Sequence, residues 1–169
     1  MGSKRIAFLP VAVLAMSLDQ LGKFYTMTTL EVGARIPLVG NVLALTHVPS
    51  MGAAFGFFRE WAPLAQLIGF SILALCTSVL ILAFYRGLPH GEQGSAAALG
   101  AMLGGIASYA LDRFRYGSGL DFLHLGPITS NAIPDLSFAD IAIALGAMAL
   151  IVELLANEMA ARASERPRA

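Results

Sequence analysis

Residues 61–85 read WAPLAQLIGFSILALCTSVLILAFY, an apolar run from Trp61 to Tyr85 with no charged side chain, bounded by Glu60 and Arg86. A hydrocarbon core about 30 Å thick takes roughly 20 such residues as a helix, so this stretch crosses a bilayer. A second uncharged run extends from Gln93 to Leu111. Two weaker ones, Ile6 to Leu18 and Ile141 to Val152, are stopped by Asp19 and Glu153, and each reaches spanning length only by taking in that carboxylate. The expectation is an all-α membrane protein, one integral domain over residues 1–169, with helices at 6–28, 61–85, 93–112 and 139–158. Composition agrees: 57% of the chain is hydrophobic and 13% charged, against about 25% charged in soluble domains. These values also exclude intrinsic disorder. Eleven basic and eleven acidic residues cancel to a net charge of zero, which argues against nucleic acid as a partner. One cysteine, Cys76, and three scattered histidines supply neither a disulfide framework nor metal-ligand spacing. No metal and no organic cofactor are expected.

Lys4 and Arg5 before an apolar run imitate a secretory signal peptide. Apolar character resumes after Gln20 with Leu21, Phe24, Tyr25 and Met27, so a retained first helix is expected. Four spans put both termini on one side, with Lys4, Arg5, Arg86, Arg162, Arg166 and Arg168 in short segments; Lys23, Arg35, Arg59, Arg113 and Arg115 fall on the other side in longer ones. Density of basic residues near helix ends then makes the termini cytoplasmic. Of the two outer segments, 29–60 holds Ile36–Val39 and Val42–Val48 around Gly40-Asn41, a hairpin signal, expected to form a small β-cradle on the membrane surface. Residues 113–138, punctuated by Gly117, Gly119, Gly126, Pro127 and Pro134, are expected to hold little regular structure. Residues 159–169 form a cytoplasmic tail.

On this topology Asp19, Asp112, Asp121 and Asp140 gather toward the outer face. Carboxylates at or within a bilayer cost about 2.5–3.5 kcal/mol on insertion scales and point to function by default; the alternative is interfacial charges, solvated or paired with Lys23, Arg113 and Arg115. Two carboxylates close together in a poorly solvated site share a proton and supply both a base and an acid. An aspartic protease needs that pair, one member to activate water and the other to polarise the scissile carbonyl. Other candidates are weaker. Gly117-Ser118-Gly119 has no partner histidine on a helix, Lys23 with Ser17 or Ser50 would make a Ser/Lys dyad, and His47, His90 and His124 are scattered over both sides. Gly100-Ala101-Met102-Leu103-Gly104 is a small-xxx-small pattern suited to close helix packing.

Five blocks taken together resemble lipoprotein signal peptidase, the signal peptidase II family of bacterial inner-membrane aspartic endopeptidases (peptidase family A8). Asp19-Gln20-Leu21-Gly22-Lys23 is similar to that family's DQxSK, Gly52-Ala53-Ala54-Phe55 to NxGAAF, and Gly104-Gly105 through Asp112-Arg113 to GGxxGNxxDR. Asp121-Phe122 is similar to VDF, and Phe138-Ala139-Asp140 stands where the family has FNxAD. The resemblance implies four transmembrane helices with an outer β-cradle, and removal of the signal peptide from a prolipoprotein just before a diacylglyceryl-modified cysteine. It implies a catalytic dyad at Asp121 and Asp140, with Asp19, Lys23, Ser50, Gly52, Tyr109, Asp112, Arg113 and Ser137 as supporting or substrate-contacting positions. It further implies contact with membrane lipid, inhibition by the cyclic peptide globomycin, and action as a monomer.

The departures are specific. The asparagine of NxGAAF is Ser50, that of GGxxGNxxDR is Tyr109, and that of FNxAD is Ser137 or is displaced by a local shift; the serine of DQxSK is Gly22. Losing a hydrogen bond that orients a buried group costs about 1–3 kcal/mol. The readings left open are an active peptidase, a divergent paralogue that binds lipidated peptides with specialised or lost activity, and a small membrane carrier subunit in which Asp19 and Glu153 mark a pathway.

Overall fold

In the computed structural model of the chain, residues 3–50, 62–127 and 135–164 are described. The elements in order are α1 (Ser3–Thr29), β1 (Arg35–Val39), β2 (Leu43–Ser50), α2 (Pro63–Gly87), α3 (Gln93–Tyr116), β3 (Gly119–Leu125) and α4 (Phe138–Ser164). Each of the four helices is long and apolar enough to cross a membrane. Their outward surfaces are apolar: Ile68, Leu75, Val79 and Phe84 on α2 and Leu145, Ile151 and Leu154 on α4 are all more than half exposed. Soluble proteins rarely display apolar surface on this scale, whereas a hydrocarbon solvent carries no cost for it. Inside each helix the backbone polar groups bond to one another, as lipid requires.

Local sequence explains the helix ends. Pro63 opens α2, where its missing N–H costs nothing, and Arg86 sits in its last turn against the negative end of the helix dipole. Gly117 closes α3 in the left-handed conformation, with φ of 72°, and donates its N–H to the Arg113 carbonyl.

Helix α3 is the hub, packed chiefly on α1 and α4 and less on α2. Close approach to α1 is made possible by Gly100 and Gly104, where any Cβ would collide with the carbonyl oxygens of Phe8 and Ala12. The small-xxx-small pattern is therefore the α1–α3 contact. A second contact of the same kind joins α3 to α4: a Cβ on Gly105 would lie 2.8 Å from the Ala139 carbonyl oxygen, and one on Gly146 would lie 2.6 Å from that of Ala98. Without a hydrophobic force between helices in lipid, such backbone proximity is the main source of cohesion.

The three strands form one antiparallel sheet in the order β1-β2-β3. The expected hairpin is β1 and β2, with Arg35 opposite Thr46 and Val39 opposite Leu43. The expectation of little regular structure over 113–138 does not hold. Helix α3 continues past 112 to Tyr116, so Arg113 is a helical residue, and β3 pairs with β2 from Leu43 opposite Leu125 to Ser50 opposite Gly119. Glycines and prolines around β3 mask it in the sequence. Five of its seven residues, Gly119, Leu120, Phe122, Leu123 and His124, are buried, so it lacks the alternation that marks a half-buried strand. Helix α4 likewise runs to Ser164, into the expected tail.

The sheet sits at the end of the bundle where α1 and α3 finish and α4 begins. Two features hold it there. Phe122 fills the space over Gly22 of α1, where a Cβ would stand 2.6 Å from the ring, and Phe122 packs edge-on against Phe138 with centroids 5.0 Å apart. The chain entering α4 also pairs with β3, since Leu136 and Leu123 exchange backbone hydrogen bonds of 2.8 Å in each direction.

Candidate active site

Between α1 and α3 lies a fully enclosed polar layer. Asp19, Lys23 and Thr26 of α1 and Ser108 and Asp112 of α3 are each at most 2% exposed. Spacing of three and four residues puts each set on one helical face. The Lys23 ammonium bridges the carboxylates of Asp19 and Asp112. Gln20 donates to Ser108 Oγ and Asp112 Oδ1, both at 2.7 Å, and Ser108 donates onward to Asp19 Oδ2 at 2.6 Å. The other oxygen of Asp19 accepts the Ala139 backbone N–H at 2.8 Å. Ala139 lies in the first turn of α4, whose amides have no partner within the helix, so a carboxylate on α1 caps a helix 120 residues away. One lysine thus serves two carboxylates, and the positive end of the α4 dipole faces this layer.

Asp140 follows directly. Its Oδ2 accepts from the Ser137 backbone N–H at 2.7 Å and the Ser137 hydroxyl at 2.9 Å, and the Asp140 N–H returns a bond to Ser137 Oγ at 3.3 Å. This is a reciprocal capping box with aspartate in the usual glutamate position. The remaining oxygen, Oδ1, accepts the hydroxyl of Tyr109 from α3. Ser137 thus caps α4 and holds one oxygen of Asp140.

Asp121 is half-buried on β3, opposite Val48 of β2. The Leu123–Leu136 pairing runs β3 beside the segment that leads into Asp140. The Tyr109 phenol feels the charge of both Asp140 and Asp121. Arg113, 6% exposed, lays its guanidinium 3.4 Å from the centre of the Phe70 ring on α2 and also feels the Asp121 charge. Beside these groups α2, α3 and α4 line a partly open apolar cavity of about 220 Å³, walled by Phe70, Leu73, Thr77, Ile106, Tyr109 and Ile143.

The site residues expected from the sequence therefore divide. Tyr109, Ser137 and Asp140 are joined by hydrogen bonds at the start of α4, while Asp121 stands on the neighbouring strand β3 and Arg113 packs on Phe70 of α2. Asp19, Lys23 and Asp112 lie behind them, with no surface left to touch a substrate. Ser50 ends β2, its backbone paired with Gly119, and Gly52 with the rest of its block lies outside the described residues. A Ser/Lys dyad is not formed, because the Lys23 ammonium is held between two carboxylates and Ser17 is exposed. Gly117-Ser118-Gly119 is the helix stop and the first residue of β3.

Ser108 and the Ala139 amide were not anticipated. Ser108 stands where GGxxGNxxDR has its third glycine and lies one turn before Asp112, a spacing that could have marked it; nothing in the sequence marks a backbone amide.

Comparison with known proteins identifies the family and the fold. The family model for signal peptidase (SPase) II matches residues 11–156. The chain is 34% identical over 148 residues to the lipoprotein signal peptidase of Moorella thermoacetica, covering 88% of this chain and 92% of that one. It is 32% identical over 173 residues to that of Gloeobacter violaceus, covering 99% and 92%. A solved bacterial membrane enzyme superposes with a TM-score of 0.81 over 100% of this chain and 94% of its own, at 20% identity, and so shares the fold. This four-helix membrane chain belongs to the signal peptidase II family of proteases.

Proposed function

We propose that Asp121 and Asp140 are the catalytic pair of an aspartic endopeptidase that removes signal peptides from diacylglyceryl-modified prolipoproteins, cutting before the lipidated cysteine. The observation that carries this reading is the pairing of Leu123 with Leu136, which runs the strand bearing Asp121 beside the helix start bearing Asp140. In the reaction, the ionised carboxylate takes a proton from water as the water oxygen attacks the scissile carbonyl carbon. The protonated carboxyl donates to the carbonyl oxygen. As the resulting diol collapses, the C–N bond breaks, the leaving amine takes the proton held by the first carboxylate, and one diol hydroxyl returns its proton to the second, which restores the starting pair. Neither step needs a metal or organic cofactor. The start of α4 lies at the outer membrane face in this reading, with both termini cytoplasmic and the substrate reaching the site from the lipid. Globomycin would compete for the same cleft, and the enzyme would act as a monomer.

The test uses the full-length protein reconstituted with a diacylglyceryl prolipoprotein. Asp121→Asn and Asp140→Asn should each slow signal-peptide release by about 10²- to 10⁴-fold while the variants still fold. Cleavage by either variant at the native rate would sink the dyad. Binding of the substrate without cleavage by the native protein would instead indicate the divergent paralogue.

A further inference from the structure

We infer that Tyr109 and Ser137 form a two-sided clamp that positions Asp140, and that this clamp takes the place of the two asparagines missing from these positions. The inference rests on the reading of Asp140 as catalytic. Tyr109 comes from α3 and Ser137 directly precedes α4, and each takes one oxygen of the same carboxylate: Tyr109 holds Oδ1, and Ser137 holds Oδ2 through its hydroxyl and its amide. A carboxylate fixed at both oxygens has no freedom left in its terminal torsion, which is otherwise broad.

Ser137 alone could be an ordinary helix cap. Tyr109 has no such local reason to be there, being 31 residues away on α3. Its ring forms part of the wall of the apolar cavity, with its centroid 5.2 Å from the Lys23 ammonium, and its hydroxyl reaches across to Asp140 on α4. Reach is the decisive property. A phenol carries its donor a full ring's length from the backbone, whereas an asparagine amide ends two bonds beyond Cβ. Asparagine at 109 would therefore stop short of Asp140 and leave space where the ring had been. Restoring the family residue at this position should damage the site. Tyr109 is thus a positioning residue whose ring also shapes the cavity.

The experiment measures kcat and KM for release of the signal peptide from a diacylglyceryl prolipoprotein by the reconstituted full chain, with thermal melting run on each variant. Tyr109→Phe keeps the ring and removes the donor; kcat should fall about 10-fold, the equivalent of one buried hydrogen bond, with KM within about twofold. Tyr109→Asn should fall at least as far, and its KM should rise because the cavity wall is gone. Ser137→Ala should lower kcat severalfold, and Ser137→Thr, which keeps the hydroxyl, should recover most of that loss. If Tyr109→Phe keeps native kcat, or Tyr109→Asn exceeds it, the clamp is wrong. Should the Tyr109 variants fail to fold, the Ser137 pair decides: equal rates for Ala and Thr would overturn the clamp. Full activity of Asp140→Asn would remove the underlying reading as well; loss there with no effect of Tyr109→Phe would remove the clamp alone.

Discussion

Two groups of carboxylates lie within a few turns of each other and are held in opposite ways. Asp19 and Asp112 share a lysine ammonium in a closed layer between α1 and α3. Asp140 is held only by neutral donors, a phenol, a hydroxyl and an amide, and among the described residues it makes no ion pair. The difference separates architecture from chemistry. Among the described residues, Asp19 and Asp112 depend on Lys23 alone for a cation, so the layer ties α1 to α3 and serves the bundle. A carboxylate held by neutral donors can change its protonation without leaving an opposite charge unpaired, which general acid and base work requires.

The largest expected effect breaks the first group. Lys23→Met leaves two buried carboxylates without a cation, and loss of one partner of a buried pair costs about 3–5 kcal/mol. Thermal melting in detergent should show a bundle that no longer folds cooperatively. A melting curve close to native would mean that the layer is hydrated and not architectural. The contrasting change, Asp140→Asn, should leave the melting transition within the equivalent of about 1–2 kcal/mol while removing activity. If it destabilises as much as Lys23→Met, the distinction between the two groups fails.

A smaller effect concerns how the sheet is seated on the bundle. Gly22→Ser places a Cβ 2.6 Å from the Phe122 ring, next to Asp121. Overpacking of this kind costs about 1–3 kcal/mol, and displacement of Phe122 should also lower the cleavage rate. A variant with native stability and native rate would show that the ring turns aside freely.

The mildest change lies farther along β3. His124, fully buried on β3, directs Nδ1 at Asp135 Oδ1 at 2.6 Å and Nε2 at the Pro127 carbonyl at 3.1 Å, and Arg35 approaches Asp135 Oδ2 at 3.6 Å. Both ring nitrogens face oxygen atoms, so the ring is held from both sides. Asp135→Asn should cost about 1 kcal/mol of stability and leave the chemistry of the Asp140 end largely intact. Hydrogen exchange at the β3 amides should rise; unchanged exchange would show that strand pairing alone holds this segment.

Much of the bundle was legible without coordinates. A charge-free run such as Trp61–Tyr85 has no stable home outside lipid. Asp19 and Lys23, one turn apart, announce a paired face, and Gly100 with Gly104 announces a close helix contact. Strand β3 was not legible, because it is covered on both faces and its pairing partner lies some seventy residues earlier in the chain. The role of Tyr109 was not legible either: in the sequence it is a bulky replacement for an asparagine, and its value depends on Asp140 lying at the end of its ring.

By itself, then, the sequence determined what each segment must avoid or seek: lipid for the uncharged runs, a partner for every intramembrane charge, and a turn at Gly40-Asn41. These are preferences of single residues or neighbours within a helical turn, set by solvation and local geometry. Only the tertiary structure decided which charge meets which partner. Asp19 meets the Ala139 amide, and the two oxygens of Asp140 are divided between α3 and its own helix cap, because packing through small residues brings distant backbones close enough for short side chains to reach.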